Sequence, residues 1–230
     1  GTVSRYGMIA FASSLDQAGT FGKNVEDAAF ALDVMVGKDG RDSTNVTAPF
    51  KSILETQVSL KGAKVGIPKQ YMEAELESDL KSALENLFKQ LERGGCELVE
   101  IELPHTEYAI PVYYLVAASE ASSNLSRYDG VRYGLRDIES EAGQPVTSLQ
   151  DFYKLTRSRG FGDEVKRRIL LGTFSLSAGY FDAFYTKACQ VRRLIAQDFI
   201  SAFDKCDFIL GPVATSSAFQ VGEKVSDPIS

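Results

Sequence analysis

Residues 63–103 carry the pattern that most restricts what this chain can fold into: an apolar run, an amphipathic helix and a second apolar run. The first run, 63–68, ends at Pro68, whose nitrogen cannot donate to a strand ladder. In the stretch 78–93, leucines and Phe88 recur at three- and four-residue steps, and a glycine pair ends the pattern. Residues 96–103 then alternate as a strand. Strand, helix and strand in this order favour parallel pairing under a covering helix, so the sequence predicts the α/β class.

Helical periodicity recurs through the rest of the chain. The predicted helices are 25–36 with Asn24 as N-cap, 107–124, 148–159, a helix that starts at Asp163, and a long one over 177–203. Residues 107–124 contain many small side chains, which allow another backbone to approach closely. A last short strand is predicted at 207–212, and the polar stretches 38–49 and 136–145 are predicted as a loop and a surface insertion.

No stretch of the sequence has the composition of a linker between domains. We therefore expect residues 1–230 to form one domain. The chain opens without a methionine, as though inside a strand, and stops at 227–230 without a closing element. From this we expect the domain to be truncated at both ends.

Charge and composition argue against several classes of protein. There are 31 acidic against 25 basic side chains, a net charge of −6, and the basic ones are scattered. Because phosphate backbones are bound by concentrated basic surfaces, we do not expect this chain to bind nucleic acid alone. No apolar run approaches the roughly 18 residues that a membrane span needs. A soluble, cytoplasmic protein without membrane contact is the expectation.

Few residues of the sequence are candidates for catalysis or metal binding. Cys96, Cys189 and Cys206 are widely spaced and form no CxxC pair, so neither a disulfide framework nor a zinc site is indicated. His105 is the only histidine, and a Ser-His-Asp triad would have to include it. Its place directly after Pro104, in a predicted loop, favours a structural role instead. No phosphate loop, GxSxG or HExxH motif is present.

Arg168 is the charged residue that invites a functional interpretation. In the helix that follows Gly162 it shares a stripe with Val165, Ile169 and Gly172, so its guanidinium is predicted to point inward. An inward guanidinium needs an anion. That anion is either a structural Asp or Glu, or the carboxylate of an amino-acid substrate held by the guanidinium fork. Spacing leaves both alternatives open.

Several strings of the sequence resemble one family. They are GTVSRYGMIAFASSLDQ at 1–17, SEASSNLSRYDGVRYG at 119–134, GFGDEVKRRILLGTFSLSAGY at 160–180, ILGP at 209–212 and GEK at 222–224. Together they are similar to the amidase signature family, and more specifically to its members that serve as the glutaminase subunit of the tRNA-dependent amidotransferase. The likeness extends over essentially the whole chain.

The resemblance implies an α/β fold with a mixed central sheet covered by helices. It also implies a Ser-Ser-Lys arrangement in which a serine attacks the side-chain amide of glutamine and releases ammonia. In that family the ammonia passes to a B subunit, which uses ATP and magnesium to convert Glu-tRNA(Gln) to Gln-tRNA(Gln), and a small C subunit completes a heterotrimer. The lysine and the serines belong to sequence before Gly1, so we expect no catalytic residue here. The chain alone is expected to be inactive and to bind no metal or cofactor.

Two residues match the family's glutamine pocket. Arg168 falls where the family has the arginine that holds the substrate α-carboxylate, and Tyr113 matches a tyrosine near the pocket. The resemblance implies that both bind substrate. Two alternatives remain: a stand-alone amidase signature hydrolase that acts on other amides, and a non-catalytic binding module on the same scaffold.

Overall fold

A computed structural model of the protein describes residues 1–46, 52, 54, 59–138, 143 and 145–222. The chain forms two compact units, each built from two stretches of sequence. The first unit comprises Gly1–Gln57 and Ile110–Gln190, and the second comprises Val58–Ala109 and Val191–Ser230. The single domain expected from the sequence stays a prediction.

Helices and strands follow one another along the chain in a mixed order. They are α1 (Val25–Met35), β1 (Lys64–Pro68), α2 (Lys69–Met72), α3 (Ser78–Arg93), β2 (Glu97–Ile101), a 3-10 turn (Thr106–Tyr108), α4 (Ala109–Asn124), a second 3-10 turn (Leu125–Arg127), α5 (Leu149–Gly160), α6 (Asp163–Ser175), a π-helical turn (Asp182–Thr186), α7 (Lys187–Phe203) and β3 (Phe208–Ile209).

The strands of the second unit form a parallel sheet. Within the described part of the chain its order is β2-β1-β3. Lys64 pairs with Glu97 and Val65 pairs with Phe208, and both strand pairings are parallel. Helix α3 lies between β1 and β2 in the chain, so the predicted strand, helix, strand unit is confirmed. The α/β class is confirmed with it.

The sheet packs closely on the end of α7. Ile101 and Leu103, in and after β2, form a buried cluster with Ala202 and Cys206. Gly66 of β1 makes this contact possible, because a methyl group there would lie 2.6 Å from the sulfur of Cys206 and 2.9 Å from Cδ1 of Ile101. Short α2, directly after β1, was not predicted from the sequence.

The helices of the first unit start where local signals place them. Asn24 Oδ1 accepts from the N–H of Asp27 at 2.7 Å and begins α1, as predicted. Ser148 accepts in the same way from the N–H of Asp151, at 3.4 Å, and begins α5. Helix α6 starts at Asp163 as predicted, with negative charge in its first turn.

Helices α4 and α6 approach each other backbone to backbone. The α4 residues Ala117, Ala118 and Ser119 are buried, and opposite them α6 has Gly172. An added methyl group at Gly172 would lie 2.5 Å from the carbonyl carbon of Ala118, so only a glycine fits. The buried hydroxyls of Ser119 and Ser175 are 2.8 Å apart and share a hydrogen bond. Small side chains in α4 therefore allow the close approach that the sequence predicts.

The uninterrupted helix predicted over 177–203 is wrong. Residues 176–180 form turns and a bend, and Gly179 has φ +87°, a conformation that an α-helix excludes. A π-helical turn, Asp182–Thr186, then leads into α7. The aromatic rings of Phe174 and Tyr180 lie 4.6 Å apart across this corner. Both rings remain partly exposed, at 49% and 45%, so the apolar spacing of 177–203 does not correspond to one buried helix face here.

Four other predictions are affected at their edges. The last strand is shorter than predicted, Phe208–Ile209 rather than 207–212. Residues 47–49 of the predicted loop, 139–142 and 144 of the predicted surface insertion, and 223–224 of the last matching string lie outside the described residues.

Candidate substrate-binding site

The two residues predicted to bind substrate lie side by side in the first unit. Arg168 on α6 donates from Nη1 to the hydroxyl oxygen of Tyr113 on α4, at 3.3 Å. Its Nε donates to Oε1 of Glu164, one turn earlier on α6, at 2.8 Å. Because α4 and α6 meet at Gly172, the guanidinium one turn before it reaches the tyrosine. The structure thus brings together residues that are far apart in sequence.

Aromatic rings surround the same guanidinium. Its central carbon lies 5.8 Å from the ring centroid of Phe11 and 5.8 Å from that of Tyr114. Tyr113 and Tyr114 stack edge to face, with centroids 5.4 Å apart. The Arg168 side chain is 25% exposed. Cation–π attraction and partial burial therefore favour the position in which the guanidinium lies beside these rings.

The opposite charges of Glu164 and Arg168 stabilise each other. The hydrogen bond from Arg168 is the main reason that the pKa of Glu164 lies below its ordinary value. The same bond, followed by the one to Tyr113, raises the pKa of Arg168 above its ordinary value. Arg168 is therefore a permanent cation. Glu164 also pairs with Arg167, so its negative charge is shared between two arginines.

Arg168 keeps donors available for a ligand. A guanidinium has five N–H groups, and bonds to described residues engage its Nε and one N–H of Nη1. The structural acid considered from the sequence is thus present as Glu164. The remaining N–H groups form a fork that matches a carboxylate in geometry and charge. The assignment of Arg168 and Tyr113 to substrate binding stays a prediction.

Comparison with known proteins decides the family. A family model described as Amidase matches residues 1–230.

The chain belongs to the amidase family.

Relatives within the family are highly similar over the whole chain. The A subunit of glutamyl-tRNA(Gln) amidotransferase from Chromobacterium violaceum is 53% identical over 230 residues, which are 100% of this chain and 46% of that protein. The protein of the same name from Carboxydothermus hydrogenoformans is 51% identical, again over 100% of this chain and 46% of that protein. The chain therefore spans about half the length of the curated relatives it matches.

A solved amidase-family structure confirms the fold. The crystal structure of the A subunit of glutamyl-tRNA(Gln) amidotransferase from Thermotoga maritima matches with a TM-score of 0.71 and 36% identity. The match covers 99% of this chain and 43% of that one.

Sequence reasoning missed three neighbours of the site in this amidase-family chain. Glu164 precedes Arg168 by four residues, a spacing that pairs side chains on one helix face and could have revealed it. Tyr114 adjoins the predicted Tyr113. Phe11 had no local signal, because its contact with Arg168 exists only once the chain has folded.

His105 has a structural partner rather than a catalytic one. In the second unit its Nδ1 lies 2.9 Å from Oδ1 of Asp198, and its backbone N–H donates to Oδ2 of the same residue at 2.8 Å. Asp198 is 9% exposed. The carboxylate thus ties the loop after Leu103 to α7, and no serine among the described residues hydrogen-bonds to this ring. This agrees with the structural role expected for His105.

The described residues show neither a metal-binding cluster nor a helix that could span a membrane. In that part of the chain, no group of three or more His, Cys, Asp or Glu side chains is arranged to hold a metal ion. None of the described helices combines the length and the apolar character that crossing a membrane requires.

Proposed function

We propose that this chain is the substrate-recognition part of the glutaminase subunit of a tRNA-dependent amidotransferase. The whole subunit would hydrolyse glutamine and supply the ammonia that converts Glu-tRNA(Gln) to Gln-tRNA(Gln). The observation that carries this proposal is the 53% identity, over the entire chain, to a protein named as the A subunit of glutamyl-tRNA(Gln) amidotransferase. A solved structure described only as an amidase has a much lower sequence identity to this chain, 20%.

Arg168 supports glutamine as the substrate. Glutamine carries an α-carboxylate besides the amide that is cleaved, and a positively charged fork of N–H donors recognises such a group. The aromatic rings of Phe11 and Tyr114 exclude water from part of the guanidinium surface, which strengthens a charge-assisted hydrogen bond. The reacting serines and lysine would come from the part of the subunit outside this chain.

The remaining steps belong to partners in this proposal. A B subunit would use ATP and magnesium to activate the glutamate on tRNA, and a C subunit would complete a cytoplasmic heterotrimer. The net charge of −6 supports this division, because an acidic chain is poorly suited to binding tRNA itself.

Arg168→Ala in the complete subunit, assembled with its partners, tests the proposal. Ammonia release from glutamine would be followed at a range of glutamine concentrations. We expect kcat/KM to fall by about a hundredfold, because a bidentate charge-assisted contact is lost. Arg168→Lys keeps the charge but not the fork, and we expect it to recover only part of the loss.

Arg167→Ala is the matched control. Arg167 is adjacent, pairs with the same Glu164 and has a side chain that is 71% exposed. We expect its kinetics to equal those of the wild type. If Arg168→Ala has wild-type glutamine kinetics, Arg168 does not bind the substrate carboxylate. If both alanine variants lose activity equally, the loss comes from a disturbed α6 and not from Arg168 itself.

A further inference from the structure

Residues 11–16 form a loop that contains no helix or strand, yet side chains hold its backbone. The two carboxylate oxygens of Asp16 accept from the N–H groups of Phe11 and Ala12, each at 2.9 Å. Nη1 of Arg5 donates to the carbonyl of Ser13. The same loop contributes Ser13 and Asp16 to the wall of a cavity. The loop is therefore held in one conformation at the edge of a concave surface.

Two polar side chains of α4 also bind this loop. Glu120 accepts from the N–H of Ser14 at 2.8 Å and from its hydroxyl at 2.6 Å, one carboxylate oxygen for each. Asn124 donates from Nδ2 to the carbonyl of Phe11 at 3.0 Å and to the hydroxyl of Ser13 at 2.9 Å. Glu120 and Asn124 are four residues apart and so share one helix face. We call this pair the α4 clamp.

The α4 clamp is connected to Arg168 through Phe11. The clamped loop carries the Phe11 ring, which lies 5.8 Å from the guanidinium carbon. The tyrosines that also contact the guanidinium, Tyr113 and Tyr114, precede the clamp on the same helix. A single helix thus holds the guanidinium's aromatic neighbours, two directly and one through the loop.

We infer that Glu120 and Asn124 are positioning residues for the carboxylate-binding site around Arg168. Among the described residues, the hydrogen bonds of Glu120 and Asn124 go to other partners than Arg168. By holding the loop they keep the Phe11 ring against the guanidinium, and so keep its available N–H groups directed at one place. The clamp thereby determines selectivity for amides that carry an α-carboxylate over amides that lack one. The inference rests on the proposed glutaminase function.

The test compares two substrates in the complete subunit with its partners. One substrate is glutamine, and the other is butyramide, a primary amide without a carboxylate. For Glu120→Ala we expect the KM for glutamine to rise on the order of tenfold, because two hydrogen bonds to a charged acceptor are lost. We expect kcat to stay within about twofold and kcat/KM for butyramide to be unchanged. Glu120→Gln keeps an acceptor oxygen and should fall between wild type and Glu120→Ala.

Controls separate positioning from loss of structure. Glu85→Ala removes an exposed glutamate from α3, and we expect wild-type kinetics on both substrates. If Glu120→Ala does not fold, Ser14→Ala removes the hydroxyl that donates to Glu120 at 2.6 Å and is judged by the same comparison of substrates. An equal loss on glutamine and butyramide overturns the inference, and so does an unchanged KM for glutamine.

Arg168→Ala, measured in parallel, distinguishes the two proposals. If it leaves the KM for glutamine unchanged, the proposed carboxylate recognition fails and the role of the clamp fails with it. If it raises that KM while Glu120→Ala does not, the positioning role alone is wrong.

Discussion

Replacing Gly172 by alanine tests the packing that places Arg168. The added methyl group would lie 2.5 Å from the carbonyl carbon of Ala118 and 2.8 Å from Cβ of Ser122, and closer still to the carbonyl oxygen of Ala118. Non-bonded carbon atoms rest at about 3.5–4.0 Å, so α6 would have to move away from α4 by roughly 1 Å. Arg168 lies one turn before Gly172, and the displacement would reach its guanidinium.

Opposing effects determine the change in stability. Alanine is favoured over glycine inside a helix by about 1 kcal/mol. Overpacking costs about 1–3 kcal/mol, and the upper end applies here because the obstacle is a main-chain carbonyl without alternative rotamers. Moving the helices apart also breaks the buried bond between Ser119 and Ser175, which is worth about 1 kcal/mol. We therefore expect the free energy of unfolding to fall by about 3 kcal/mol.

Urea unfolding followed by far-UV circular dichroism measures this loss. A fall of this size lowers the midpoint by about 1 M urea. Gly160→Ala in α5 is the matched control, because its methyl group would lie 3.5 Å from Cβ of Leu135, an ordinary contact. We expect that variant to be as stable as the wild type or slightly more stable. A Gly172→Ala midpoint equal to the wild-type value, or equal losses for both variants, would refute the close approach of α4 and α6.

Two other predictions concern single side chains. Tyr113→Phe removes the hydroxyl that accepts from Arg168, so in the complete subunit the KM for glutamine should rise about threefold to tenfold with kcat preserved; an unchanged KM would exclude Tyr113 from the site. The pKa of Asp42 is lowered from 3.8 to about 2, first by the N–H of Arg5 and then by the N–H and hydroxyl of Thr44. Since the folded-state pKa is the lower one, this carboxylate stabilises the fold above about pH 4, and its contribution disappears as the pH falls through about 2. Carboxyl titration by NMR should give that value, and Asp42→Asn should lose the corresponding pH dependence of stability between about pH 4 and pH 2; a titration near 3.8 would contradict the bonds to Arg5 and Thr44.

Most element boundaries could be predicted because their causes are local. Asn24 caps α1 with its own side chain, and Ser148 does the same for α5. Helix α3 spans Ser78–Arg93, as its leucine spacing indicates. The break at Gly179 could not be predicted in this way. A glycine is compatible with both helix and turn, so its presence in the sequence does not indicate which of the two forms.

The amino-acid sequence by itself indicated the α/β class through its periodicity and the family through its matching strings, because both are properties of neighbouring residues. The substrate-binding role of Arg168 and Tyr113 follows from that resemblance and stays a prediction. Only the tertiary structure decided which distant residues contact Arg168. Its contacts with Phe11 and Tyr113 join segments distant in the chain. They exist because Gly172 lets α6 lie against the backbone of α4, and because Glu120 and Asn124 bind the loop that carries Phe11. Such contacts depend on how closely two helices approach, to within a few tenths of an ångström, and no local sequence pattern encodes that distance.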